Sequence, residues 1–138
     1  MAHRVGIIGL GTVGSRFVEQ FNLHNAFDLV AAWDLDPNAC SSHKDSVKIA
    51  STAGEVIEES DLVYVAVPPI HHETYVRDCL ANNTAIFCEK PLGVDLQTSR
   101  QLAAEVNQSG LPAGVNFVFS AAPSAAELQQ RLSNHDLG

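Results

Sequence analysis

"VGIIGLGTVG", residues 5–14, runs from a β-branched strand signal straight into glycines at positions 9, 11 and 14. Val5–Ile8 reads as a short buried strand. Val13, Phe17 and Phe21 then recur at a spacing of four, which is one face of a helix. Strand, tight turn and helix in that order are the opening of a βαβ unit. Outward from it, strand and helix signals alternate to the end of the chain. "FDLVAAWD" (27–34) reads as a second strand, stopped by Asp-Leu-Asp-Pro, and "SSHKDS" (41–46) as a solvated loop. A third strand is expected at Val47–Ala50, a helix in "AGEVIEES" (53–60) and a fourth strand in "DLVYVAV" (61–67). Pro68-Pro69 ends that strand, and Ile70–Leu80 reads as a helix. The fifth strand spans Thr84–Cys88. Asp95 is placed to cap a helix that stops at Gly110, and a sixth strand is expected over Leu111–Phe119. Ser124 and Glu127 have capping-box spacing for a last helix. Six strands alternating with helices predict an α/β fold, a Rossmann-type doubly wound parallel sheet with helices on both faces. In such a sheet, residues that follow strands become neighbours along one edge.

The spacing Gly9-x-Gly11-x-x-Gly14 between a strand and a helix suits a dinucleotide. Gly9 permits the turn, Gly11 lets a pyrophosphate approach the backbone, and Gly14 lets the helix pack close to the sheet. The amides of Thr12 and Val13, at the positive end of the helix dipole, are expected to face the phosphates. Asp34 closes the second strand, twenty residues beyond Gly14, where an acid binds the adenosine ribose hydroxyls. A carboxylate there repels a 2′-phosphate, so NAD is expected in preference to NADP.

Farther along the same edge lie Val67, Pro68 and Pro69, then His72 in the first turn of the next helix, and Glu89 with Lys90 after the fifth strand. With the glycine loop and Asp34 these are the candidate cofactor contacts, and Lys90 is the candidate catalytic group. Beside a nicotinamide of like charge, an ammonium more readily exchanges a proton with a substrate hydroxyl. Pro91 fixes the backbone that aims it, and a cis Lys90–Pro91 bond suits the pattern. The pattern equally allows a surface ion pair followed by a proline. His71 reads as a plain polar residue at a helix start. His71-His72-Glu73 lacks the second histidine of a zinc helix, because position 76 is Val, so no metal is expected.

The bulk composition narrows the function classes. The chain has 138 residues, 46% hydrophobic and 17% charged, with a formal net charge of −8. One ordinary domain fits that length. No run of Lys or Arg supplies the positive patch that nucleic acid or an anionic membrane needs. Cys40, Cys79 and Cys88 form no C-x-x-C pair and read as free thiols in a reducing compartment. With no signal-peptide or membrane-span pattern, the expected location is the cytoplasm.

"VGIIGLGTVG", "AAWDLDP" and "VAVPPIHHETYVRDCLANNTAIFCEKPLG" together resemble the Gfo/Idh/MocA oxidoreductases over about residues 4–117. The Glu89-Lys90-Pro91 triplet is that family's signature. The resemblance implies NAD(P)-dependent hydride transfer to or from a sugar, cyclitol or related hydroxyl or carbonyl substrate. In that alignment Lys90 matches the catalytic lysine and His72 the histidine that follows the fourth strand. The family commonly has Thr-Pro-Asn where this chain has Val67-Pro68-Pro69, and Asn-Arg-Arg near Val118-Phe119-Ser120. Relatives carry a second, substrate-binding domain. Residues 1–120 are therefore expected to be the nucleotide-binding domain. Residues 121–138 would be a bridging helix leading to a substrate domain the chain does not contain, with Leu128 and Leu132 exposed or buried in a homo-oligomer. A chain of this kind is expected to bind NAD without turning over its small-molecule substrate. The other readings of the sequence are a non-catalytic dinucleotide-sensing or regulatory module and, from "GLGTVG" alone, a homoserine-dehydrogenase-like domain.

Overall fold

The structure is a computed structural model that describes residues 2–134. Its strands are β1 (His3–Ile8), β2 (Phe27–Trp33), β3 (Leu62–Val65), β4 (Ala85–Glu89) and β5 (Ala113–Asn116). Its helices are α1 (Thr12–Leu23), α2 (Pro37–His43), α3 (Ala53–Glu59), α4 (His72–Ala81), α5 (Leu96–Ser109) and α6 (Pro123–Ser133). Short 3-10 turns occupy Pro69–His71 and Val118–Ala121. The strands form one sheet in the order β2-β1-β3-β4-β5, and every pairing is parallel.

Each face of the sheet carries its own apolar layer. Ile8, Val63, Val65, Ile86 and Cys88 pack against α3, α4 and α5, whereas Val5, Ile7 and Tyr64 pack against α1. The strand period of two sends successive residues to opposite layers. Val5, Ile7, Ile8, Val63, Tyr64 and Val65 are fully buried. Each such aliphatic side chain contributes about 1.5–3 kcal/mol through burial. The central strands are apolar on both faces, as a sheet covered on both sides requires.

The sheet has five strands, not six. Val47–Ala50 was expected as a strand but makes only an isolated bridge between Ile49 and Ala32. Two hydrogen bonds close it, Ala32 N–H to the Lys48 carbonyl and Ala50 N–H to the Ala32 carbonyl, both 2.9 Å. The chain then turns into α3, whose first turn is capped by Thr52 accepting from the Glu55 amide. "SSHKDS" is not wholly loop, because residues 41–43 belong to α2. Asp36 starts that helix by accepting the Asn38 amide at 2.9 Å, and Pro37 sits at its first position. The last strand is shorter than expected. β4 leads into Pro91, which has no N–H to continue a ladder. The Phe117 amide bonds back to the Val115 carbonyl at 2.9 Å, and the chain enters the 3-10 turn. The expected capping box is not formed either: α6 begins at Pro123 after an uncapped Ala122, and Glu127 pairs with Arg131. Asp95 does cap α5, accepting the Thr98 amide at 2.7 Å, and Gly110 ends the helix at φ +70°.

Candidate functional site

Strand register puts Ile8, Trp33, Val65, Cys88 and Val115 level across the sheet. The next residues of each strand therefore share one rim: Gly9, Asp34, Ala66, Glu89 and Asn116. Leu10, Val67, Lys90 and Phe117 stand one step beyond.

On the β1–β2 half, the site is made of backbone. Gly9 has φ +103°, and a Cβ there would lie 2.6 Å from the Ala66 carbonyl carbon. Position 9 is closed to other residues by conformation and by space. At Gly14 a Cβ would fall 1.8 Å from the Gly9 carbonyl oxygen. The close approach expected there is thus to the turn itself, not to the sheet. Gly11 differs from both, because a Cβ on it meets nothing within 4 Å. That space lies over the start of α1, whose N-cap has no side-chain hydrogen bond and whose first turn holds no acid. By contrast Asp36, Thr52 and Asp95 cap α2, α3 and α5. The amides of Thr12 and Val13 have no side-chain cap, as is also true at the starts of α4 and α6, and at α1 the open space over Gly11 lies beside them.

The Asp34 carboxyl holds this turn in shape. One oxygen accepts the Leu10 amide at 2.6 Å and the other the Asp36 amide at 2.8 Å. A carboxylate offers about four acceptor sites, so capacity remains for hydroxyl donors. Ser15 Oγ donates to the Leu10 carbonyl at 2.9 Å and lies 2.9 Å from His43 Nε2, tying α2 to the turn. Beside Asp34 opens a cleft of about 480 Å³ lined by Trp33, Asp34, Leu35, Asp36, Val67, Pro68, His71 and Tyr75. Trp33 and Tyr75 meet edge to face with centroids 6.1 Å apart. An apolar slot with carboxylates at its mouth suits a base and its ribose. The residues present fit a dinucleotide: a vacancy at Gly11, free amides, and an acid beside an apolar cleft. Trp33, Leu35 and Tyr75 were not named as site residues from the sequence, and His71 was read only as a polar residue at a helix start; an aromatic at the end of a strand beside the acid was the available signal.

The β3–β5 half is built from side chains. Lys90 is exposed, follows β4 directly and precedes a cis peptide bond to Pro91. Among the described residues no carboxylate forms an ion pair with its ammonium. The surface ion pair that the sequence allowed is therefore not formed. Glu89 is 8% exposed and turns inward, so its expected place against a cofactor is taken by protein. One of its oxygens accepts from the Tyr64 hydroxyl and, at 2.5 Å, from Asn116 Nδ2. The other lies 3.3 Å from the Lys90 amide. Burial, followed by the hydrogen bond to Glu89, pushes the Tyr64 phenol far above its ordinary range, so it remains a donor. Neither Tyr64 nor Asn116 was foreseen. The signal for Asn116 was an amide ending an otherwise apolar strand, since a buried polar group needs a partner.

His72 is fully buried in the first turn of α4, with Nδ1 2.9 Å from the Pro91 carbonyl and Nε2 2.8 Å from the Val67 carbonyl. It joins the two loops that flank the space beside Lys90 and presents no ring nitrogen to a ligand. Val67 and Pro68 line the cleft, whereas Pro69 borders a smaller hollow with Leu92 and Asp95. Burial raises the thiols of Cys79 and Cys88 to about 12, which rules them out as thiolate nucleophiles near neutral pH. Among the described residues no cluster of three or more His, Cys, Asp or Glu could hold a metal ion, and no helix is long and apolar enough to cross a membrane.

Comparison with known proteins agrees with this fold. The profile of an oxidoreductase family with an NAD-binding Rossmann fold, Gfo/Idh/MocA, matches residues 3–117. An inositol 2-dehydrogenase of Cereibacter sphaeroides is 31% identical over 107 residues, 74% of this chain and 32% of that protein. A trans-1,2-dihydrobenzene-1,2-diol dehydrogenase of Sus scrofa is 30% identical over 118 residues, 80% of this chain and 35% of that protein. The chain thus spans about a third of the length of these relatives. Among solved structures, scyllo-inositol dehydrogenase of Lactobacillus casei with NAD(H) and scyllo-inositol superposes with a TM-score of 0.89 at 19% identity. The match covers 100% of this chain and 43% of that one, a likeness of fold.

Proposed function

The chain belongs to the Gfo/Idh/MocA oxidoreductase family, whose shared element is an NAD-binding Rossmann fold, and from that premise we propose that its rim holds NAD for oxidation or reduction of a small hydroxyl or carbonyl compound. The supporting observation is the open space at Gly11, over an uncapped helix start, on the same sheet edge as Asp34 and Lys90. In this reading the Thr12 and Val13 amides bind the pyrophosphate. Asp34 accepts from the adenosine ribose hydroxyls, and the adenine enters the slot between Leu35 and Tyr75. Asp34 and Asp36 together oppose the extra phosphate of NADP. Val67 and Pro68 place the nicotinamide end toward Lys90, while His72 holds the two loops around it.

When bound, the dinucleotide supplies a hydride acceptor or donor at its nicotinamide. Lys90 does the proton chemistry. As a CH–OH carbon gives up hydride, the Lys90 amine takes the hydroxyl proton; in reduction the ammonium returns it. Inositol and diol dehydrogenases among the relatives support a cyclitol, sugar or similar hydroxyl compound as the substrate class. The described rim offers Lys90 but no set of hydrogen-bonding side chains to grip such a compound. We therefore assign residues 1–120 to cofactor binding and place substrate recognition in a further domain approached through residues 121–138. Residues 135–138 lie outside the described residues.

Calorimetry of the 138-residue chain, with Trp33 fluorescence as a second probe, tests the reading. The expected result is binding of NAD, with NADP at least about tenfold weaker because two carboxylates face its 2′-phosphate. Absence of heat and of any fluorescence change with millimolar amounts of either nucleotide would overturn it.

A further inference from the structure

Three strands meet beneath Lys90 through one buried carboxyl group. Tyr64 from β3 and Asn116 from β5 both donate to one oxygen of Glu89, on β4 between them. Asn116 Nδ2 also lies 3.4 Å from the Tyr64 hydroxyl, which closes the set into a ring. Tyr64 is fully buried, Glu89 8% and Asn116 9% exposed. An acid placed there needs such donors, since a buried carboxyl without partners is costly. The second Glu89 oxygen accepts from the Lys90 amide at 3.3 Å. Beyond the cis bond, the Pro91 carbonyl lies 2.9 Å from His72 Nδ1, so the turn that carries Lys90 has polar neighbours at both ends.

We propose that Tyr64, Glu89 and Asn116 are positioning residues: two donors from flanking strands orient the Glu89 carboxyl so that it fixes the backbone from which Lys90 projects. The inference rests on the reading of Lys90 as the proton-transfer group. It assigns no contact with substrate or cofactor to any of the three. A pure packing role would be met as well by apolar side chains, and would not require the free oxygen to meet the next residue's amide. A proton carrier must be held within about half an ångström of its working geometry, which calls for supports of this kind.

Glu89→Gln separates the alternatives. The glutamine carbonyl still accepts from Tyr64 and Asn116, but its NH2 group now faces the Lys90 N–H, donor against donor. Amide hydrogen exchange by NMR on the 138-residue chain reads the outcome. Exchange at Lys90 is expected to accelerate about fivefold or more relative to the Val65 amide of the same molecule, as loss of one local hydrogen bond implies. Equal acceleration at both amides, or none at Lys90, would show a contribution to general stability only and would overturn the proposal. Should Glu89→Gln fail to fold, Tyr64→Phe gives the same reading, because it frees one side of the carboxyl; a Lys90 amide no faster than Val65 would again refute it. NAD titration of the same samples keeps the two readings apart. A parent chain that does not bind NAD defeats the rim assignment while the exchange result stands. An NAD affinity that falls in Glu89→Gln by more than about threefold, roughly 0.7 kcal/mol, would place Glu89 in direct contact with the cofactor, against the proposal.

Discussion

The two halves of the rim are built on opposite plans. Between β1 and β2 the site is made by leaving atoms out: no Cβ at Gly9, Gly11 and Gly14, and no side-chain cap on α1. Between β3 and β5 it is made by filling space, with Tyr64, Glu89, Asn116 and His72 supporting one exposed lysine. The first plan suits a ligand group that needs closely spaced backbone donors, such as a pyrophosphate. The second suits a reacting group whose place must be held by rigid neighbours. In the proposed reading binding and chemistry are separated along one sheet edge, which predicts that each half can be disturbed without the other.

The sharpest way to break the contrast lies in the glycines. Gly14→Ala would set a methyl 1.8 Å from the Gly9 carbonyl oxygen, so the turn must move. Denaturation should show a loss of about 3 kcal/mol or more, with NAD binding abolished. Next in size, Tyr64→Phe leaves a buried carboxyl and an amide each short of a partner, and stability should fall by about 1–3 kcal/mol. In that variant NAD affinity should stay within about twofold of the parent, a change under about 0.5 kcal/mol; a larger loss would show that the two halves are coupled. Gly11→Ala reverses the pattern. Its added methyl meets only open space, at a φ of −67° that any residue adopts. Stability should change by no more than about 0.5 kcal/mol, while NAD binding weakens about tenfold or more, equivalent to about 1.4 kcal/mol.

The smallest effect is a control outside both halves. The Thr98 amide holds the Asp95 carboxyl below the usual carboxylate range. A carboxyl depressed in the folded state adds stability above its unfolded value, about 3.9, and loses it as pH falls through the lower folded value. Asp61 and Glu105, paired with Arg4 and Arg77, shift in the same direction. Melting temperature should therefore drop on acidification from pH 5 toward pH 2. Asp95→Asn, an equally good cap without a titrating group, should show a slightly shallower drop and unaltered NAD binding at neutral pH.

The contrast also explains what could be read from sequence. The glycine half is specified locally: residues 9, 11 and 14 must lack side chains for reasons contained in one turn, and Asp34 follows at a fixed distance. Lys90 was singled out through the triplet that carries the family resemblance, since the residue pattern alone left it level with a surface ion pair. Its supports were not. Tyr64 looks like an ordinary strand residue in "DLVYVAV", and its partners lie 25 and 52 positions away. Only the order β3-β4-β5 brings them together. Glu89 was expected to face outward because an acid and a lysine ending a strand together suggest an exposed pair, whereas strand alternation returns it to the layer of Phe87 and Tyr64. The missing sixth strand failed differently. Val47–Ala50 has strand composition, but its neighbour offers hydrogen bonds for a single bridge before the chain turns away.

The ring beneath Lys90 also bears on how the chain matures. Its three members arrive in the order in which they are synthesised, and the last, Asn116, can dock only after α5 has crossed the sheet. Closing the ring therefore requires β3, β4 and β5 to be paired, so that the support proposed for the lysine depends on three strands far apart in sequence.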